Sequence, residues 1–274
     1  MRIAMPCENL STNVYLRAYP FAKLMSQDHD VTVLGPIEKK GLFPPIKNDT
    51  SIKYLPTPKK YFIPGYIQNQ KNIYKALNDA ELIHAFKVTA WSYLPSLLQK
   101  IKHKKKLVLD IDDWESQYIL DYYLKPSPIK LAQFTFVDFY MPESYFIKKI
   151  LESQVKKADA VITSSKTLQK MFGGTWIPTG PNTDYFNPEN FSGKKIREEF
   201  QLQDKTILLF MGTPKKHKGV DELIRAVQEL RKQNESLHLL IVGAEKDNPY
   251  VHTLKEEQGI TLVGYRDHKE MPDF

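Results

Sequence analysis

The chain has 274 residues, 42% hydrophobic and 26% charged, a balance that supports buried cores and excludes a disordered polymer. Lys plus Arg number 39 against 32 Asp plus Glu, a formal charge of +7 that favours anionic partners (nucleotide-sugars, acidic lipid surfaces or nucleic acid) without choosing among them. A single cysteine, Cys7, excludes a disulfide framework and points to a reducing compartment.

The chain opens on an apolar strand at residues 1–5, too short for a signal peptide. Helix-like spacing follows over 14–25, then a strand at 31–34. Residues 52–55, 82–85 and 107–111 are further strand candidates, with helical stretches between several of them. Such alternation predicts an α/β fold with a parallel sheet covered on both faces. Residues 129–158 are aromatic-rich and then helical, and lead to a buried strand at 160–163. The apolar run at 131–147 is interrupted by Asp138, Pro142 and Glu143, which makes it a poor membrane span. The expected location is the cytoplasm, with peripheral attachment to the inner face of the membrane left open.

Pro, Gly, Asn and Asp punctuate residues 176–188. This suggests an N-terminal domain over 1–177, a linker over 178–205 and a second domain over 206–274. The second series has a strand at 207–211, a helix through Val220, Leu223, Ile224, Val227 and Leu230, a strand at 237–242, a short helix at 250–258 and a strand at 260–263. Three strands are about half of a doubly wound domain, so the second domain is expected to be incomplete and the protein truncated at its C-terminus. The strand at 207–211 should then form an unprotected apolar edge.

Between that strand and its helix lies Gly212-Thr213-Pro214-Lys215-Lys216-His217-Lys218-Gly219. Gly212 lets a ligand approach the backbone, and a helix starting near Gly219 points its positive end at the loop. Lys218, with Lys215, would neutralise a diphosphate; a solvated basic loop is the plain alternative.

At these residues the sequence resembles glycosyltransferase family 4 of the GT-B fold. The 212–219 loop with Val220-Asp221-Glu222-Leu223-Ile224 and Leu239-Leu240-Ile241-Val242-Gly243 is similar to the first half of that family's C-terminal domain. Ile177-Pro178-Thr179-Gly180-Pro181-Asn182 through Pro188 resembles its interdomain segment, residues 158–165 its A-D-x-V-x-x-x-S strand, and His29-Asp30-Val31-Thr32-Val33 its second strand. The resemblance implies two Rossmann-like domains and a retaining transfer of sugar from a nucleotide-diphosphate sugar to a glycan or lipid-linked acceptor. It also implies a donor site in the C-terminal domain, with Lys218 as the diphosphate lysine and Gly212, Thr213, Lys215 and Gly219 around it. No cofactor and no metal site are expected.

The sequence departs from the pattern in several places. Thr213 stands where the family often has an arginine. Asn9-Leu10-Ser11-Thr12-Asn13 replaces a Gly-Gly pair, so Ser11 or Thr12 would donate a hydrogen bond on the acceptor side or cap the following helix. Asp112 or Asp113 stands where a histidine often follows the fifth strand, and would orient or deprotonate an acceptor hydroxyl or else cap a helix. His84 matches a strand-end histidine lining the acceptor side, though a lone histidine there is more often structural. The family's C-terminal E-x7-E element has no counterpart.

Basic runs at 100–106, Lys148-Lys149 and Lys156-Lys157 suit an anionic membrane or an ordinary solvated face. No nucleic-acid module is recognised. The leading expectation is therefore a glycosyltransferase of polysaccharide or glycolipid assembly. An inactive remnant that needs a missing C-terminal half and a basic membrane-associated module are the alternatives.

Overall fold

The computed structural model describes residues 1–44, 47, 49–60, 64–123, 141, 143–254 and 258–274. The first part of the aromatic-rich segment, 129–140 with Pro142, therefore lies outside the described residues, as do 255–257 of the expected helix at 250–258. Contacts divide the protein into two compact units, Met1–Gly180 and Pro181–Phe274.

The first unit is built on a seven-stranded, all-parallel sheet of order β3-β2-β1-β4-β5-β6-β7. Its strands are β1 Arg2–Pro6, β2 Asp30–Ile37, β3 Lys53–Pro58, β4 Leu82–Phe86, β5 Lys106–Ile111, β6 Ala160–Thr163 and β7 Thr175–Trp176. Its helices are α1 Ala18–Met25, α2 Gly65–Ala76, α3 Tyr93–His103, α4 Glu115–Tyr123, α5 Tyr145–Ser153 and α6 Lys166–Phe172. Alternate residues of each central strand feed opposite faces. Ile3, Met5, Val31 and Val33 pack with Tyr15, Ala18 and Ala22 on one side. Ala4, Ile83, Ala85, Leu107, Leu109 and Ile111 pack with Ile73, Leu77, Leu97 and Leu151 on the other.

The second unit holds a three-stranded parallel sheet of order β10-β9-β8, with β8 Thr206–Met211, β9 Leu237–Val242 and β10 Ile260–Val263. Helix α8 Val220–Arg231 covers one face, where Val220 and Val227 meet Leu239 and Ile241. The other face, Leu240, Val242 and Val263, is covered by Ile196 of helix α7 (Lys194–Glu199) together with Leu202, Phe200, Met271 and Phe274. Residues 181–205, expected as linker, thus count with the second unit, because Ile196 and Leu202 are part of its core. Among the described residues of the helix expected over 250–258 there is a 3-10 turn, Val251–Thr253. Strand β8 pairs only with β9 among the described residues, and Leu208, Leu209 and Met211 stay 36–43% exposed, as expected of an open apolar edge.

Candidate functional site

In the second unit, loop 212–219 leaves β8 and enters α8. Gly212 has φ 127° and its N–H donates to Val242 O at 2.9 Å, continuing the ladder one residue past the strand. Gly243, at φ 97°, lies beneath the loop: a Cβ there would come within 2.9 Å of the Gly212 carbonyl. The Asn248 side-chain amide donates to Pro214 O at 3.0 Å, and so ties the loop to the segment after β9. Lys216–Lys218 form one 3-10 turn and Gly219, at φ 69°, starts α8 with no side-chain cap. This puts the Lys218 ammonium back over the first glycine, 3.5 Å from where a Gly212 Cβ would be. Lys215, Lys216, His217 and Lys218 are all exposed. An anion resting on Gly212 and Thr213 would thus meet backbone, a lysine and a helix start together. Asp221 and Glu222, in the first turn of α8, oppose it, although Arg225 pairs with Glu222 at 3.1 Å.

In the first unit, charged side chains gather at the C-terminal ends of β1, β4 and β5, the edge at which open α/β sheets hold ligands. Lys87 follows β4 and has φ 72°, a left-handed conformation that costs a lysine about 1–2 kcal/mol. Its side chain is 8% exposed and its Nζ lies 2.6 Å from Asp113, 2.8 Å from Glu115 and 3.3 Å from Asp112. Glu115 in turn accepts from Lys148 at 2.6 Å, and Lys148 lies 3.4 Å from Glu143. Ligand oxygens of Asp112, Asp113 and Glu115 fall within 4.8 Å of one another, a spacing that suits a cation, and the Lys87 ammonium already holds that place. Burial, only partly offset by Lys87, raises Asp112 to about 6. Burial and the nearby Glu143 and Glu115 push Glu8 up to about 7. Asp113, 65% exposed, is the carboxylate of this group most open to a ligand.

Residues 192–274 match the family described as Glycosyl transferases group 1. The match contains all of loop 212–219. A curated relative, the GDP-mannose-dependent alpha-(1-6)-phosphatidylinositol monomannoside mannosyltransferase of Mycolicibacterium smegmatis, is 35% identical over 79 residues. That alignment takes in 29% of this chain and 20% of the relative, so the match spans about a fifth of that protein's length. Among solved structures, Anabaena Alr3699/HepE in complex with UDP and glucose matches with a TM-score of 0.68 at 17% identity, over 100% of this chain and 71% of its own. A glycosyltransferase from Rickettsia africae ESF-5 matches at 0.63 and 16%, over 99% and 69%. These two likenesses extend over the whole sequence and establish its α/β fold as the GT-B fold.

Of the residues singled out in the sequence, Gly212, Thr213, Lys215, Lys218 and Gly219 come together in the one loop, and Asp112 and Asp113 meet at Lys87. The acceptor-side candidates lie differently. His84 is 1% exposed, packed on Phe86 with ring centroids 4.3 Å apart and on Phe21 at 5.3 Å. Burial and the Arg17 charge lower it to about 3, so it is a neutral core ring. The Ser11 hydroxyl accepts from Glu38 N–H at 2.8 Å and donates to Gly41 O, which spends it on the neighbouring loop. Thr12 precedes a 3-10 turn at Asn13–Arg17 but makes no side-chain cap, and its hydroxyl oxygen is buried without a partner among the described residues. Lys148, read as a surface cation, is buried against Glu115.

Sequence reasoning missed Lys87, Glu115, Glu8 and the Arg17–Asp110 pair. Arg17 forks onto both oxygens of Asp110 at 3.0 and 3.2 Å, with both side chains at most 5% exposed. It also donates to Ile177 O at 2.8 Å and Thr179 Oγ1 at 3.1 Å. Burial outweighs Arg17 and leaves Asp110 raised to about 6. The one available signal was Asp110 itself, a carboxylate inside an otherwise apolar strand that needs a buried cation.

Proposed function

We propose that the protein is a retaining glycosyltransferase of family 4 that takes sugar from a nucleotide-diphosphate donor to a glycan or lipid-linked acceptor. The observation that carries this reading is the Lys218 ammonium folded over Gly212 at an uncapped helix start, inside the segment that matches the glycosyltransferase family. As the glycosidic bond breaks, negative charge builds on the diphosphate, and a lysine with backbone N–H groups aimed at it stabilises that charge. The acceptor would meet the first unit at Asp113, whose exposed carboxylate can take a hydroxyl hydrogen bond. Titration calorimetry with UDP and GDP tests the donor side. Lys218→Ala is expected to weaken diphosphate binding about 10–100-fold, the loss of one charge-assisted contact. Unchanged affinity in the variant would sink the assignment.

A second, compatible reading concerns where the acceptor lies. A groove of about 710 Å³ runs between α2 and α3, with Tyr66, Tyr74, Leu94, Leu98 and Ile101 on its walls. Lys71, Lys75 and Lys102 stand at the same groove, and no Asp or Glu lines it among the described residues. Apolar walls under lysines suit an anionic lipid surface better than a sugar. Two lysines of the basic run are engaged elsewhere: Lys100 pairs with Asp159 at 2.6 Å, and Lys105 is bonded to Asn78 O and Ala80 O. Among the described residues no helix is long and apolar enough to cross a membrane.

A further inference from the structure

Lys87 combines two features that seldom coincide by accident. It is a non-glycine residue in the left-handed region, at φ 72°, and its ammonium is sunk among three carboxylates. Strained backbone of this kind persists only where the surroundings over-determine it, and it clusters at working sites. The local structure supports such a constraint: Lys87 N–H donates to Asp110 O at 2.8 Å, locking the residue to the end of β5. The side chain then has one course, into the turn of Asp112 and Asp113 and the start of α4. An ammonium has three N–H donors, and here it meets three carboxylates. Burial alone would lower its pKa, but Glu115, Asp112 and Asp113 outweigh burial and keep it protonated.

We propose that Lys87 is a positioning residue: its ammonium serves as the permanent cation of the Asp112–Asp113–Glu115 group and holds Asp113 turned outward to receive an acceptor hydroxyl. The carboxylate spacing is one that a divalent ion would accept. With the lysine present the group needs no ion. The cation role stands on the ion pairs alone. The acceptor role rests on the sugar-transfer reading, and the two are tested separately.

The first arm uses Lys87→Met, Lys87→Arg and the wild-type 274-residue protein with Mn²⁺, followed by electron paramagnetic resonance and thermal melting. Wild type and Lys87→Arg are expected to take up no Mn²⁺ at this group. Lys87→Met is expected to bind it at least about ten times more tightly than wild type, and to lose that binding when Asp113→Asn is added. Should Lys87→Met be unfolded on its own, Mn²⁺ is expected to restore its melting transition, because a ligand that binds only the native state stabilises it. Failure of Mn²⁺ to bind folded Lys87→Met, or to refold an unfolded one, overturns the cation role. So does Asp113-dependent Mn²⁺ binding by wild type.

The second arm measures transfer kinetics and nucleotide binding on the same proteins. A positioning role predicts a drop of at least about tenfold in kcat/KM for the acceptor in Lys87→Met, partial recovery with Mn²⁺, and unchanged UDP or GDP affinity. A parallel loss of nucleotide affinity, or no recovery with the ion, overturns the acceptor role. Failure of the sugar-transfer reading appears instead as Lys218→Ala binding nucleotide like wild type, with the Mn²⁺ results unaffected.

Discussion

Glu8, just past β1 and partly buried, shows what a single carboxylate does in this cluster. Its ordinary value is 4.5, and burial with Glu143 and Glu115 nearby raises it to about 7 in the folded protein. A raised carboxyl favours the folded state while protonated: that stability is complete below about pH 4.5 and is lost as pH climbs through 7. Glu8→Gln is therefore expected to stabilise the protein by about 1–3 kcal/mol at pH 8 and to be neutral near pH 4, read by urea unfolding at both values. A gain of the same size at both would refute the attribution. His84 acts in the opposite sense. Its depressed value of about 3 takes stability away as pH falls below the ordinary 6.5, since the imidazole must charge in a dry site. Local pattern exposed the loop lysines and the Asp112–Asp113 pair, because each sits at a strand end next to its neighbours in sequence. It could not expose Lys87 or Glu8, whose partners come from residues 110–115 and 143–148. Charge pairing across such separations leaves no periodic trace in the sequence.

At the scale of elements, the strands were legible where they are central. Residues 107–111 and 237–242 are apolar apart from Asp110 and His238, because both faces of a parallel sheet are covered. β7 escaped notice because it is two exposed residues long, and before the 3-10 turn at 251–253 the Asn248 side chain both accepts from Tyr250 N–H and donates to Pro214 O. β8 carries the next prediction. Its Thr206–Met211 sequence has no charge and no proline, and its second edge is open among the described residues. The 274-residue polypeptide is expected to self-associate through β8, and Leu209→Lys to lower that association without lowering the melting temperature. Sedimentation velocity decides; identical sedimentation of the two proteins at every concentration would remove β8 as the cause.

For the molecule as a whole, an excess of +7 has to be placed before it explains anything. Ion pairs cannot consume it, because each pair removes one charge of either sign, and at the α2–α3 groove three lysines stand together with no acidic lining among the described residues. Vesicles with anionic headgroups should bind the protein, neutral ones should not, and added salt should weaken the binding. Replacing Lys71, Lys75 and Lys102 by Glu should reduce vesicle binding by at least about tenfold, since each basic group contributes about 1 kcal/mol near such a surface. Equal sedimentation of this variant and wild type with anionic vesicles would argue against the groove.

The Arg17 clasp sets an order of events during synthesis. One end of it is made by residue 17, and the other by Ile177 and Thr179, which leave the ribosome some 160 residues later. A nascent polypeptide paused before that point holds a guanidinium that has found Asp110 but not its remaining partners. The first unit is thus fastened at its far end last, and Arg17, the residue just before α1, completes its bonds only once residues 177–179 have been made.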